Sequence, residues 1–205
     1  KTLKATGAPY RKLDIHANDH AGYYPGAKQI SIKLLFAEET GRVLGAQAVG
    51  GSGVDKRLDV LATAIQAQMT VDDLAEMELS YAPPYGAAKD PVNIAGMAAQ
   101  NLIAGLSSLI EPEELDAAVA AGAILIDLRQ PEELLRQGQI PGALNLPLPQ
   151  LRTQAQLPKD VPLIVYCQVG LRGYIGQRYL QQQGWSVRNL NGGFRTWKMM
   201  QMAKK

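Results

Sequence analysis

From residue 113 onward the chain alternates between short apolar runs and segments with helical spacing, and this constrains its fold more than any other feature. Helical patterns cover Glu113 to Ala120, Pro131 to Gln137, Leu148 to Ala155, Arg172 to Gln182 and Phe194 to Met202. Between them lie strand candidates at Ala123 to Leu128, Ala143 to Leu146, Leu163 to Tyr166 and Val187 to Leu190. The continuous apolar runs among these, Ala123 to Ile126 and Leu163 to Tyr166, read as strands buried on both faces. They predict an α/β unit with a parallel sheet covered by helices. Sheets of that kind carry their active sites beyond the carboxyl ends of the strands.

One such strand end holds the only cysteine in the chain, Cys167. The apolar run Pro162-Leu163-Ile164-Val165-Tyr166 stops there, a turn containing Gly170 follows, and a helix begins near Arg172. Consecutive backbone N–H groups in such a loop can converge on an anion. The same field favours a thiolate nucleophile. Arg172 adds a fixed positive charge. The other reading is a small apolar side chain filling space at a strand end. Gln168, Gly170 and Arg172 favour the anion pocket, because they make poor core neighbours and good pocket walls.

The chain has 205 residues, enough for two ordinary domains, with 46% hydrophobic and 20% charged residues, as in globular proteins. A formal net charge of +2 gives no long-range field for nucleic acid. No apolar run approaches the roughly 18 residues of a membrane span. A single cysteine rules out an intrachain disulfide and suits a reducing compartment, so a cytoplasmic location is expected. The start lacks both an initiator methionine and a secretory core. It reads as a helix end capped by Gly7, as if the chain began within a longer protein. A break at Leu106 to Pro112 divides the chain into a unit at 1–105, a linker at 106–112 and a unit at 113–205.

The first unit reads as α+β with antiparallel strands. Leu13 to Ala17 is a short strand candidate, followed by a polar loop from His16 to Gly26. Gln29 to Ala37 and Arg42 to Val49 are strands joined by a hairpin at Glu38 to Gly41. Val54 to Met69 has helical spacing. Thr70 opens a second helix with Asp73 in the capping-box position, and Asp90-Pro91 opens a third. Gly51-Ser52-Gly53 lacks the third glycine of a dinucleotide fingerprint and the lysine of a phosphate loop, so it reads as a strand-to-helix turn. His16 and His20 are spaced for metal only on a helix, which Asn18 and Gly22 disfavour, so no metal site is expected. Tyr23, Tyr24, Tyr81 and Tyr85 lie on Pro/Gly-rich loops, as either an interface or a cover for the core edge.

Gly22-Tyr23-Tyr24-Pro25-Gly26-Ala27, Leu44 to Gly50, Val54 to Asp59, Tyr81-Ala82-Pro83-Pro84-Tyr85 and Lys89 to Asn93 together resemble one family. It is the dimerisation domain of the coenzyme A-disulfide reductase branch of the flavin disulfide reductases. The resemblance implies a homodimer in which tyrosines reach the partner's redox site. Tyr23 and Tyr81 match the functional pair by motif position, and Tyr85 is a further candidate. Their implied role is to hydrogen-bond or protonate a thiolate leaving group. FAD, NAD(P)H and coenzyme A are implied for a full-length parent enzyme. This chain alone is expected to bind none of them.

Leu125-Ile126-Asp127-Leu128-Arg129, Gly138 to Pro147, the Cys167 loop and Leu190-Asn191-Gly192-Gly193-Phe194 resemble a single rhodanese (sulfurtransferase) domain in order and spacing. The resemblance makes Cys167 the thiolate that carries sulfane sulfur as a persulfide. Gln168, Val169, Gly170, Leu171 and Arg172 form the substrate-binding loop, and Arg172 would hold an anionic donor. Asp127 and Arg129 are assigned to structure, as an ion pair. Gln139 stands where the family often has histidine. Two alternatives stay open: a non-catalytic rhodanese-like binding module, which usually lacks the cysteine, and a cysteine-dependent phosphatase, whose loop is typically one residue longer. The combined expectation is an α+β dimerisation domain followed by an α/β rhodanese-like domain. The parent enzyme would be a coenzyme A-disulfide, persulfide or polysulfide reductase acting on coenzyme A persulfide, polysulfide or thiosulfate.

Overall fold

The computed structural model describes residues 3, 5, 7–154 and 157–203. The chain folds as two units, 1–104 and 105–205. Most of the helical segment expected before Gly7 lies outside the described residues, as does Ala155. Gly7 itself has a positive φ of 67°, as a helix-ending glycine does.

The first unit is built on an antiparallel three-stranded sheet in the order β1 (Arg11–Asn18), β2 (Gln29–Phe36), β3 (Val43–Val49). Apolar residues alternate along β1 and β2, and the register places Leu13 opposite Leu34, Ile15 opposite Ile32 and Ala17 opposite Ile30. All six are buried, so one face of the sheet is core. The first strand is longer than its sequence shows. Arg11, Lys12 and Asn18 are strand residues because pairing with β2 continues through them, which overrides their polar character.

Three helices follow: α1 (Val54–Gln66), α2 (Val71–Glu76) and α3 (Pro91–Ile103). The first stops three residues before Met69, where Gln68 takes a positive φ of 56°. The expected capping box at Thr70 forms, and the expected Asp90 cap proves to be a capping box as well. Thr70 Oγ1 accepts from the Asp73 N–H while Asp73 accepts from the Thr70 N–H, and Asp90 and Asn93 do the same around Pro91. Leu61, Ala64, Val71, Leu74, Val92, Ala95, Ala99 and Leu102 are among the buried helix positions. Burying each large apolar side chain contributes roughly 1.5–3 kcal/mol.

The second unit is a five-stranded sheet in the order β4 (Leu109–Ile110), β8 (Val187–Leu190), β7 (Leu163–Tyr166), β5 (Ile124–Asp127), β6 (Leu144–Asn145), with every pairing parallel. The edge strand β4 is not apparent in the sequence, since two residues carry no period. Its helices are α4 (Leu115–Ala120), α5 (Pro131–Gln137), α6 (Leu151–Gln154, after a 3-10 turn at Leu148–Gln150), α7 (Leu171–Gln182) and α8 (Gly193–Ala203). Successive residues of β7 feed opposite cores. Ile164 and Tyr166 join Leu115, Leu125, Ile140 and Phe194, whereas Leu163 and Val165 join Leu128, Leu151, Leu180 and Val187. A strand buried on both faces explains the unbroken apolar run. Cys167 immediately follows this central strand. Among the described residues no helix is long and apolar enough to cross a membrane.

Candidate active site

The Cys167 loop is shaped by what holds its carbonyls. Cys167 O accepts from the Phe194 N–H at 2.8 Å and Gln168 O from the Arg195 N–H at 3.0 Å. Gly170 O accepts from the Tyr174 N–H at 2.8 Å and from Asn189 Nδ2 at 3.1 Å. With these carbonyls engaged from outside, the N–H edge of the loop is left for the sulfur. The Gly170 N–H donates to Cys167 Sγ at 3.2 Å. Gly170 has a φ of 106°, which an L side chain rarely adopts, and it is the residue from which α7 departs. The N–H groups of the first turn of α7 precede its first intrahelical bond, so they have no partner within the helix. The thiol lies at the floor of this loop, 1% exposed, while Leu171 on the rim is 66% exposed and Val169 half-buried.

Backbone from the last helix packs directly beneath the loop. A Cβ added at Gly193 would lie 2.5 Å from Cys167 O and 3.0 Å from Gly170 N. The Asn-Gly-Gly-Phe stretch thus supplies both a donor to the cysteine carbonyl and the room for that approach.

Two guanidinium groups at the loop, those of Arg129 and Arg172, are each held by a carboxylate. Arg129 and Asp127 are fully buried; Arg129 Nη2 donates to Asp127 Oδ2 at 2.7 Å and Nε donates to both oxygens. The same guanidinium donates to Gly138 O and to Gln168 Oε1, and it lies 4.0 Å from the centre of the Phe194 ring. Asp127 and Arg129 form the structural pair that the sequence implies. The Gln168 side chain, placed by sequence in the substrate loop, tethers that loop to the pair.

Arg172 donates to both oxygens of Glu133, at 2.6 and 2.7 Å, with both side chains partly exposed. Arg172 holds its Glu133 partner's pKa well down, to about 2. The pKa of Arg172 is raised in turn, first by Glu133 and to a smaller degree by charge and hydrogen bonding from Cys167. Glu133, α5, Arg172 and the thiol are therefore one connected arrangement. Nothing local in the sequence identifies Glu133. Its place in the Gln130–Glu133 capping box fixes where its backbone sits, not what it meets across the fold.

Tyr166, at the end of β7, accepts from the Ile140 N–H at 3.2 Å. Its pKa is raised, first by burial and then by the Asp127 carboxylate, so it stays a phenol. Gln139 is exposed and its Nε2 reaches only Ala143 O, at 3.5 Å.

In the first unit, Tyr23 and Tyr81 bring their hydroxyls to 2.9 Å from each other across 58 residues of sequence. The pKa of Tyr81 is raised, chiefly by this hydrogen bond. Both side chains are exposed, as is Tyr85. Their loops are fixed from below. Arg57, 1% exposed, pairs with Asp90 at 2.6 Å and donates to Asp19 O at 2.7 Å. Asp19 in turn accepts from the Lys28 N–H, and the Ala21 N–H donates to Gly86 O, joining the loop of Tyr23 to the loop of Tyr85. Sequence reading finds Asp90 as a helix cap and misses Arg57 altogether.

The histidines are engaged within the fold. His16 Nδ1 lies 2.7 Å from Ser31 Oγ, and His20 Nδ1 lies 2.9 Å from Asp19 Oδ1. The Gly51-Ser52-Gly53 turn leads into α1, as expected. The space above Gly53 is filled by Arg57, whose Nη1 stands where a Cβ would point and donates to Gly53 O. That turn has no open cradle for a phosphate.

Comparison with known proteins gives two family matches. The pyridine nucleotide-disulphide oxidoreductase dimerisation domain matches residues 1–90, and the rhodanese-like domain matches residues 111–200. Coenzyme A disulfide reductase of Staphylococcus haemolyticus is 41% identical over 102 residues, 50% of this chain and 23% of that protein. The Staphylococcus epidermidis enzyme is 43% identical over 91 residues, 44% of this chain and 21% of that protein. Reduced Bacillus anthracis CoADR-RHD superposes over 98% of this chain with a TM-score of 0.95 and 46% identity. An NAD-dependent persulfide reductase from A. fulgidus superposes over 96%, with a TM-score of 0.86 and 38% identity. The chain spans 36% and 35% of the length of those two structures. Residues 1–90 thus belong to the pyridine nucleotide-disulphide oxidoreductase dimerisation-domain family, and residues 111–200 to the rhodanese-like domain family.

Proposed function

We propose that the second unit is a sulfur carrier within a flavin-dependent coenzyme A-disulfide, persulfide or polysulfide reductase, and that Cys167 holds the sulfur as a persulfide. The observation that carries this reading is the loop itself. A thiol sits at the end of the central strand with the Gly170 N–H on its sulfur, at the start of a helix. The chemistry is a displacement. The Cys167 thiolate bonds to the outer sulfur of a donor R–S–SH, the donor's S–S bond breaks, and R–S⁻ leaves with the bonding pair. Cys167–S–SH results, and no electrons are gained or lost overall. The Gly170 N–H and the first turn of α7 would stabilise the negative charge on the loop-bound sulfur.

In this reading Val169, Gly170, Leu171 and Arg172 wall the sulfur site, while Gln168 fixes the loop to Arg129. A phosphatase reading is disfavoured by the six residues from Cys167 to Arg172 and by the charge balance, since Arg172 already carries a carboxylate partner. The presence of the thiol speaks against a purely binding module.

The first unit would form the homodimer and present Tyr23 and Tyr81 to the partner's redox site. The hydrogen bond between the two hydroxyls keeps Tyr81 protonated and able to donate to a leaving thiolate. Tyr85 would stand beside them. FAD, NAD(P)H and coenzyme A would act in the longer enzyme. The glycine-rich turn entering α1, filled by Arg57, offers neither dinucleotide a phosphate cradle.

The test is transfer of sulfane sulfur by the purified chain to cyanide, compared with Cys167→Ser. The reading expects turnover in the first and a loss of at least about a hundredfold in the second. Equal turnover in the two proteins would eliminate it.

A further inference from the structure

We infer that Glu133 is a specificity-determining residue of the Cys167 site, setting it against dianionic sulfur donors and in favour of persulfides on an uncharged arm. The inference rests on the sulfur-carrier reading of Cys167 and extends it to the choice of donor. Glu133 reaches the site from α5, a different helix from the one that begins at the thiol loop. It takes both terminal nitrogens of Arg172, the residue that would otherwise meet an incoming anion. The guanidinium of Arg129, which bonds Gln168, is likewise committed, to Asp127. Each of these two guanidinium groups therefore has its own carboxylate, and the Gly170 N–H remains on the sulfur.

That balance distinguishes donors by charge. In transfer from thiosulfate, a thiolate and a dianion come together. The sulfur–sulfur bond breaks and sulfite leaves with two negative charges and the bonding pair. In transfer from an alkyl persulfide, the donor brings at most one negative charge and a single thiolate leaves. Both displacements balance without an oxidant or reductant. A carboxylate fixed beside Arg172 penalises the first more than the second, because like charges brought together without compensation are disfavoured. Its low pKa means that the penalty is present throughout the neutral range.

The experiment compares kcat/KM for inorganic thiosulfate and for N-acetylcysteamine persulfide, with cyanide as acceptor. It uses the wild-type chain, Glu133→Gln, Glu133→Ala and Cys167→Ser. Glutamine keeps the N3 capping position of α5, so the helix start is preserved. The ratio of thiosulfate to persulfide is expected to rise at least about tenfold in both Glu133 variants, whatever happens to the absolute rates. Alanine loses the cap as well as the charge, so agreement between the two variants assigns the effect to the charge. Cys167-dependent transfer with an unchanged ratio, or a ratio that moves in only one of the two variants, overturns the role of Glu133 alone. Absence of Cys167-dependent transfer from both donors in the wild-type chain overturns the carrier reading and this inference together.

Discussion

At the scale of single residues, the buried charges are the positions where one substitution costs most. Asp127 and Arg129 are fully enclosed, and each is the other's compensation. Asp127→Ala leaves a guanidinium buried without its counter-ion, a loss of about 3–5 kcal/mol. The expected outcome is a fall in the melting temperature of the second unit by more than about 10 °C, read by calorimetry. A change of a degree or two would show the pair to be dispensable. Glu133 behaves differently because it is partly exposed. Its folded pKa of about 2 lies below its ordinary 4.5. A depressed carboxylate pKa stabilises the fold above the ordinary value, and that contribution is lost as pH falls through the folded value. The difference in melting temperature between wild type and Glu133→Gln should therefore be constant above about pH 4.5 and shrink towards pH 2. A difference independent of pH across that window would contradict the ion pair.

At the scale of elements, the start of α8 positions the thiol loop. Gly193 has a φ of 61° and faces loop backbone at 2.5–3.1 Å, none of which is a flexible side-chain end. Gly193→Ala must displace Cys167 O or Gly170 N. A shift of that order at a reacting group costs about a hundredfold in rate. Loss of sulfur transfer with the far-ultraviolet dichroism retained is the expected outcome; unaltered transfer would show that the loop yields freely. In the first unit, Gly96 of α3 meets the backbone of α2, with Ala75 N 2.5 Å and Val71 O 2.8 Å from the position of a Cβ. Gly96→Ala therefore forces the helices apart, and we expect it to lower the melting temperature of the first unit, by calorimetry.

These elements also show where sequence stops being informative. Strands β2, β5 and β7 announce themselves by alternation or by apolar runs, and the Thr70 and Asp90 caps by residue type at fixed spacing. These are local properties. The Glu133–Arg172 pair joins residues 39 apart, and Arg57–Asp90 residues 33 apart. Such partners are chosen by how strands order in a sheet, which leaves no period in the sequence. The Tyr23–Tyr81 contact was legible only through resemblance, because exposed tyrosines on loops carry no pattern of their own. Strand β4 escaped for the opposite reason: its two residues are too few for alternation to register.

At the scale of the whole molecule, the chain combines a dimerisation-family unit with a rhodanese-family unit, each with its own core. On the proposed function, the first unit makes a homodimer. Sedimentation equilibrium of the purified chain should then give the dimer mass, and a monomer at high concentration would count against it. Sulfur chemistry and dimer formation would reside in different units, so Cys167→Ser should leave the sedimentation result unchanged. The central claim is that Cys167 accepts sulfane sulfur. Intact-mass spectrometry after exposure to an alkyl persulfide, followed by peptide mapping, tests it most directly. One added sulfur atom on the peptide containing Cys167, removed by cyanide and absent from Cys167→Ser, is the predicted result; an unmodified Cys167, or sulfur added equally to the serine variant, would contradict it.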